Sequence, residues 1–182
     1  KKKKTNFLMS SSTSTKAQVI TFGDESGSST GTHVLYCPNT KKAAIIDVVH
    51  DFSYRSGRTD TKEIEKLLAC IKENDLDVIY ILETHAHADH LSGAKKLQEK
   101  LANNAKIGIG EHITIVQQSF KEIFNLSDDS VSSKGSEFDI LFSDGDEFSI
   151  GDLKVKVMHT PGHTPACVSY YIENECIFVG DT

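Results

Sequence analysis

Residues 78–90 read Val78-Ile79-Tyr80-Ile81-Leu82-Glu83-Thr84-His85-Ala86-His87-Ala88-Asp89-His90. The first five are apolar without a break, the pattern of a strand buried on both faces. Directly after them come four ligand-capable side chains within six residues: His85, His87, Asp89 and His90. In sheets that contain parallel strands, chemistry gathers in the crevice outside the strand carboxyl ends. Packing explains one of the four at most, since Asp89 has the residue type of a helix N-cap for the periodic segment that follows. Imidazole nitrogen together with carboxylate oxygen suits zinc or non-haem iron, whereas calcium and magnesium favour all-oxygen cages. So short a loop can serve two neighbouring metal positions.

Two later strand ends carry the same residue types. Leu153–His159 runs into Thr160-Pro161-Gly162-His163-Thr164-Pro165, a Pro-Gly turn that swings His163 off the strand. Cys176–Val179 runs into Gly180-Asp181-Thr182. Taken singly, a turn histidine and a Gly-Asp turn are ordinary. Together, three strands deliver His or Asp to their C-terminal ends, which is how a metal site is assembled on a sheet rim. His159 continues the apolar face of its strand and is expected in the core or behind a ligand. His33, His50 and His112 lack ligand-capable neighbours at useful spacing. No G-x-S-x-G elbow and no Gly-rich phosphate loop is present.

Around these motifs the hydrophobic periods predict the elements. Gln18–Phe22, His33–Cys37 and Ala43–Val48 read as strands. Asp60 and Glu63 form a capping-box pattern before Ile64, Leu67, Leu68 and Ile71, predicting a helix over 61–74. Leu91, Ala94, Leu97 and Leu101 repeat at helical spacing, Lys106–Ile109 is a strand, and Ile113, Val116, Phe120 and Ile123 mark another amphipathic helix. Residues 127–137 read as a loop. Glu147–Ile150 and Leu153–His159 form a hairpin around Gly151-Asp152, and Val168–Ile172 pairs with Cys176–Val179 across Asn174-Glu175. Strands, then strand–helix alternation, then hairpins predict an α/β layered architecture with helices outside packed sheets.

The chain has 182 residues, enough for one compact domain. Residues 1–16 hold five lysines and no acid and are expected to be a flexible basic tail, with the domain over 17–182. The remainder carries 15 basic against 26 acidic side chains, a net of −11, which disfavours a nucleic-acid partner and a nuclease. The apolar run Val78–Leu82 is too short to cross a bilayer, so no membrane partner is expected. Cys37, Cys70, Cys167 and Cys176 contain no C-x-x-C pair and sit in apolar segments, as reduced, buried cysteines do. Cytoplasmic placement is expected, with mitochondrial placement the alternative.

The order H-x-H-x-D-H, T-P-G-H-T and G-D-T resembles the metallo-β-lactamase superfamily. Ile79–Gly93, Ile107–Phe124 and Asp144–Ser169 are similar to its persulfide dioxygenase branch, related to glyoxalase II. The resemblance implies an αββα sandwich, lacking here its C-terminal part. It implies Fe(II) held by His85, His163 and Asp181, with His87, Asp89 and His90 in supporting positions, and oxidation of glutathione persulfide to sulfite by O₂. In hydrolytic relatives such as hydroxyacylglutathione hydrolase, His85, His87 and His163 would bind one zinc or iron. Asp89 and His90 would then serve a second metal, Asp181 would bridge, and the substrate would be a glutathione thioester. Family members continue past the Asp181 position with a further histidine ligand and glutathione contacts. A non-catalytic metal-binding domain is the third reading, should the natural chain end at 182. Self-association as a homodimer is left open.

Overall fold

The computed structural model describes residues 16–23, 31–87, 91–101, 103–127 and 132–182. Of the expected basic tail only Lys16 falls inside this set, and the predicted site residues Asp89 and His90 fall outside it.

The elements follow one another as β1 (Gln18–Gly23), β2 (Gly31–Tyr36), β3 (Lys42–Ile46), β4 (Val49–His50), β5 (Phe52–Ser53) and β6 (Arg58–Thr59). Next come α1 (Lys62–Glu73), β7 (Asp77–Leu82), β8 (Leu91–Ser92), α2 (Ala94–Lys100), β9 (Lys106–Gly110) and α3 (Ile113–Ile123). The chain finishes with β10 (Ile140–Phe142), β11 (Glu147–Ile150), β12 (Leu153–His159), β13 (Val168–Ile172) and β14 (Cys176–Phe178). One mixed sheet has the order β1-β2-β3-β7-β9-β10, in which β3, β7, β9 and β10 run parallel. A second, antiparallel sheet has the order β11-β12-β13-β14.

The central strands of the mixed sheet bury both faces, and two cores result. On one face Leu35, Ala44, Ile46 and Leu82 meet Val155, Val157, Tyr170 and Ile172 of the second sheet. On the other, Val34, Ile45, Val78, Ile81 and Ile107 meet Ile64, Leu67 and Ile71 of α1 and Ala94 and Leu97 of α2. Apolar burial on two faces is why β7 lacks alternation and sits inside the sheet. This is the layered α/β architecture the periods predict, in the metallo-β-lactamase arrangement.

Two expectations need correction. The Asp60–Glu63 capping box does not form. Glu63 pairs with Lys66 at 2.8 Å, and Asp51 Oδ2 accepts the Glu63 N–H at 3.0 Å from outside the helix. A carboxylate brought by the tertiary fold satisfies the orphan donor that the local pattern assigned to Asp60. Second, the ligand loop does not enter a helix directly. Leu91 and Ser92 pair with β4 instead, Leu91 is half exposed, and α2 begins only at Ala94. Ser92 Oγ accepts the Ala94 N–H at 3.2 Å, the job the sequence offered to Asp89. Ile140–Phe142, for which no element was predicted, extends the mixed sheet beside β9; three residues carry no readable period.

Candidate metal centre

The base of the ligand loop is fixed by both sheets. Glu83 N donates to Gly108 O at 2.9 Å, and the buried Tyr170 hydroxyl donates to Glu83 O at 2.9 Å. Thr84 N donates to Asp47 Oδ1 at 2.7 Å, and Thr84 O accepts from Val168 N at 2.9 Å. Every main-chain polar group of these two residues is therefore satisfied by another element, which buried backbone requires. The loop leaves β7 in one direction only.

Asp47 lies just beyond β3 in the left-handed region at φ 54°, a conformation that Asp tolerates better than most residues. Its Oδ2 accepts the Thr84 hydroxyl at 2.9 Å, and the Thr84 oxygen stands 2.9 Å from His85 Nδ1. With its proton given to Asp47, Thr84 accepts from Nδ1–H. The network thus assigns the lone pair of a neutral His85 to Nε2. That nitrogen is buried, has no hydrogen-bond partner and faces Asp181 Oδ2 at 3.8 Å. Burial lowers the His85 pKa, with the neighbouring His87 charge adding to the effect, and so favours the neutral, ligating form.

His163 and Asp181 complete the group. The turn after β12 is closed by Thr160 N to Cys167 O at 3.0 Å, and Thr164 N meets the buried Cys167 thiol at 3.2 Å. It sets the His163 ring edge-on to His85, centroids 4.9 Å apart, with His163 Nε2 3.7 Å from Asp181 Oδ2. Gly180 brings Asp181 in. It has φ +57°, and a Cβ there would lie 2.4 Å from Thr84 Oγ1. One ligand atom each from His85, His163 and Asp181 lies within 4.8 Å of the others. An unpartnered buried nitrogen, a second imidazole and a rim carboxylate form a donor set that fits a zinc or Fe(II) ion.

His87 is not in that group. Its Nε2 lies 3.2 Å from Asp47 Oδ1 and 3.6 Å from Glu83 Oε2, while its ring packs on His85 with centroids 4.0 Å apart. Burial alone would lower the His87 pKa. The Asp47 and Glu83 carboxylates outweigh it and push the value up to about 10. Burial raises the Glu83 pKa, against the partly offsetting His87 and Ser92 contacts. Asp47, Glu83 and His87 also come within 4.8 Å of one another. Here one imidazole N–H between two carboxylates accounts for the closeness, and Asp47 is already occupied by Thr84.

Sequence reading missed Asp47 and Glu83. The available signals were an acid directly after a strand of the mixed sheet and an acid directly before Thr84-His85. The expected core or supporting histidine, His159, donates from Nε2 to Pro165 O (2.9 Å) and stacks on His112 at 4.3 Å, bracing the His163 turn. A groove of about 560 Å³ between the β1–β2 hairpin and β14 reaches His87 and Asp181. Among the described residues, no helix is long and apolar enough to cross a membrane.

Residues 31–182 match the metallo-β-lactamase superfamily. Over 169 residues the chain is 53% identical to glyoxylase B2 of Dictyostelium discoideum, covering 93% of this chain and 57% of that protein. It is 31% identical over 137 residues to a hydroxyacylglutathione hydrolase of Brucella anthropi (74% and 45%) and 27% identical over 158 residues to a mitochondrial persulfide dioxygenase of Mus musculus (86% and 49%). The crystal structure of ETHE1 from Myxococcus xanthus superposes with a TM-score of 0.65 at 25% identity, over 90% of this chain and 57% of that one. The chain spans about half the length of the curated relatives it matches. Fold, motif order and the convergence of His85, His163 and Asp181 lead to one family: the chain belongs to the metallo-β-lactamase superfamily, whose members are metalloenzymes.

Proposed function

We propose that this chain carries the metal centre of an iron-dependent persulfide dioxygenase. It would convert glutathione persulfide, O₂ and water into glutathione and sulfurous acid, with sulfur oxidised and O₂ reduced. The observation that carries the reading is the separate grouping of His85, His163 and Asp181, while His87 turns to Asp47 and Glu83. Two imidazoles and one carboxylate on one face suit non-haem Fe(II) with open positions for oxygen and a sulfur ligand. Bound there, the iron would supply O₂ activation and a seat for the persulfide sulfur.

This chain's own residues do the rest. Thr84 and Asp47 hold His85 in the tautomer that presents Nε2. The Thr160–Cys167 turn aims His163, and Gly180 lets Asp181 approach. The resemblance to a persulfide dioxygenase over 86% of the chain supports the substrate class. Cytoplasmic or mitochondrial placement fits such a substrate.

A glutathione thioester hydrolase is the second reading, favoured by the higher identity to hydroxyacylglutathione hydrolase. In it Asp89 and His90 would serve a second metal and His87 would join the first. One experiment separates the two. Protein of known iron and zinc content is given glutathione persulfide and, separately, a glutathione thioester. Oxygen uptake with the persulfide supports the dioxygenase. Thiol release from the thioester, with no oxygen uptake by an iron-loaded sample, overturns it in favour of the hydrolase.

A further inference from the structure

Glu83 is buried, with 2% of its surface exposed, yet it sits two residues before His85 where a strand enters a functional loop. A carboxylate taken from water needs compensation for its charge. Its Oε1 accepts the Ser92 hydroxyl at 2.5 Å. Its Oε2 has no hydrogen bond and faces His87 Nε2 at 3.6 Å. The same Ser92 oxygen accepts the Ala94 N–H that opens α2, and Ser92 pairs with Val49 of β4. One carboxyl group thus touches both His87 and Ser92.

We propose that Glu83 is a positioning residue of the metal centre: its buried carboxylate faces His87 with one oxygen and accepts from Ser92 with the other, holding the His87 ring against the ligand His85. The inference rests on the metal-centre reading above. The route to the metal runs through packing, because the His87 ring packs at a tilt against the His85 ring, centroids 4.0 Å apart, while its Nε2 faces Glu83 Oε2. Asp47 fixes His87 Nε2 from the β3 side. Among the described residues, Glu83 links that nitrogen to Ser92. Outer partners of this kind commonly change metal affinity by roughly 10- to 100-fold when removed.

The test measures zinc affinity by chelator competition, with thermal melting alongside, for wild type, Glu83→Gln, Ser92→Ala and the double variant. Glu83→Gln keeps the volume and an oxygen for Ser92 but removes the charge facing His87. It should bind zinc at least about 10-fold more weakly, with a melting temperature close to wild type. Ser92→Ala releases the other end and should weaken zinc binding less. The two losses should combine to less than their product, because both act through one carboxylate. A purely structural role would instead lower melting temperature and affinity together.

Glu83→Gln that folds and holds zinc within twofold of wild type overturns the proposal. If Glu83→Gln fails to fold, Ser92→Ala decides: unchanged affinity overturns the proposal, weaker affinity supports it. Asp181→Ala guards the underlying reading. Should Asp181→Ala bind zinc as wild type does, the metal centre itself is misassigned, whatever the Glu83 variants show.

Discussion

The Thr84 hydroxyl lies 2.9 Å from His85 Nδ1 while its proton points to Asp47 Oδ2, also at 2.9 Å. A side chain directly before the ligand therefore selects which His85 nitrogen carries the lone pair. Thr84→Val keeps the shape and removes the relay. Metal affinity should fall by roughly 10- to 100-fold, and stability by about 1–3 kcal/mol because Asp47 loses a buried partner. Chelator competition and denaturant melts measure the two. Full affinity in Thr84→Val would show that the relay does not orient His85.

Asp181 sits at the rim with nearly half of its side chain exposed. Asp181→Ala should release the metal and abolish activity. Fold stability should stay within about 0.5 kcal/mol of the metal-free wild type, since an exposed side chain is removed rather than a core contact. Metal analysis after dialysis, beside a melt of both metal-free proteins, checks this. Retained stoichiometric metal would place the ligand elsewhere.

Gly180→Ala should cost more fold than Asp181→Ala does. The backbone is left-handed there, and the added carbon meets the Thr84 side chain, which is itself held by Asp47. Strain and overpacking together predict a loss of about 1–3 kcal/mol, accompanied by weakened metal binding as Asp181 is pushed from His85. A melting curve superimposable on wild type would contradict the close approach.

His90 separates the two enzyme readings. A mononuclear iron site does not use it as a ligand, so His90→Ala should keep most of the persulfide-dependent oxygen uptake. A binuclear hydrolase should lose thioester cleavage by orders of magnitude, because a second-metal ligand is gone. Running both assays on one His90→Ala preparation gives the comparison directly.

Asp77 gives a pH-dependent contribution away from the site. The hydrogen bond to Lys42, with a second from Asn103, holds its carboxyl below the usual carboxylate range and ties β7 to β3. A depressed folded pKa gives stability that is present above the unfolded value and lost as pH falls through the folded one. Asp77→Asn should therefore be less stable at neutral pH and converge with wild type below about pH 4. Both partners are partly exposed, so screening should keep the difference under about 1 kcal/mol. A gap that stayed constant down to pH 2 would rule out the ion pair as its source.

Local sequence determined much of this protein. The unbroken apolar run of 78–82 required a strand covered on two sides, and α1 lies within one residue of its period at each end. The ligand types after β7, β12 and β14 were legible because three strand ends carry His or Asp together, a coincidence that packing does not explain. What the sequence could not decide is which distant groups meet. Asp51 caps α1, Asp47 reaches His87, and Tyr170 reaches back to Glu83 O. Each joins residues whose separation along the chain carries no period or local propensity, so only the tertiary fold brings the partners together. The same holds for the metal group. Three residue types were readable one by one, but their closure within 4.8 Å depends on β13 docking against Thr84 and on the left-handed turn at Gly180.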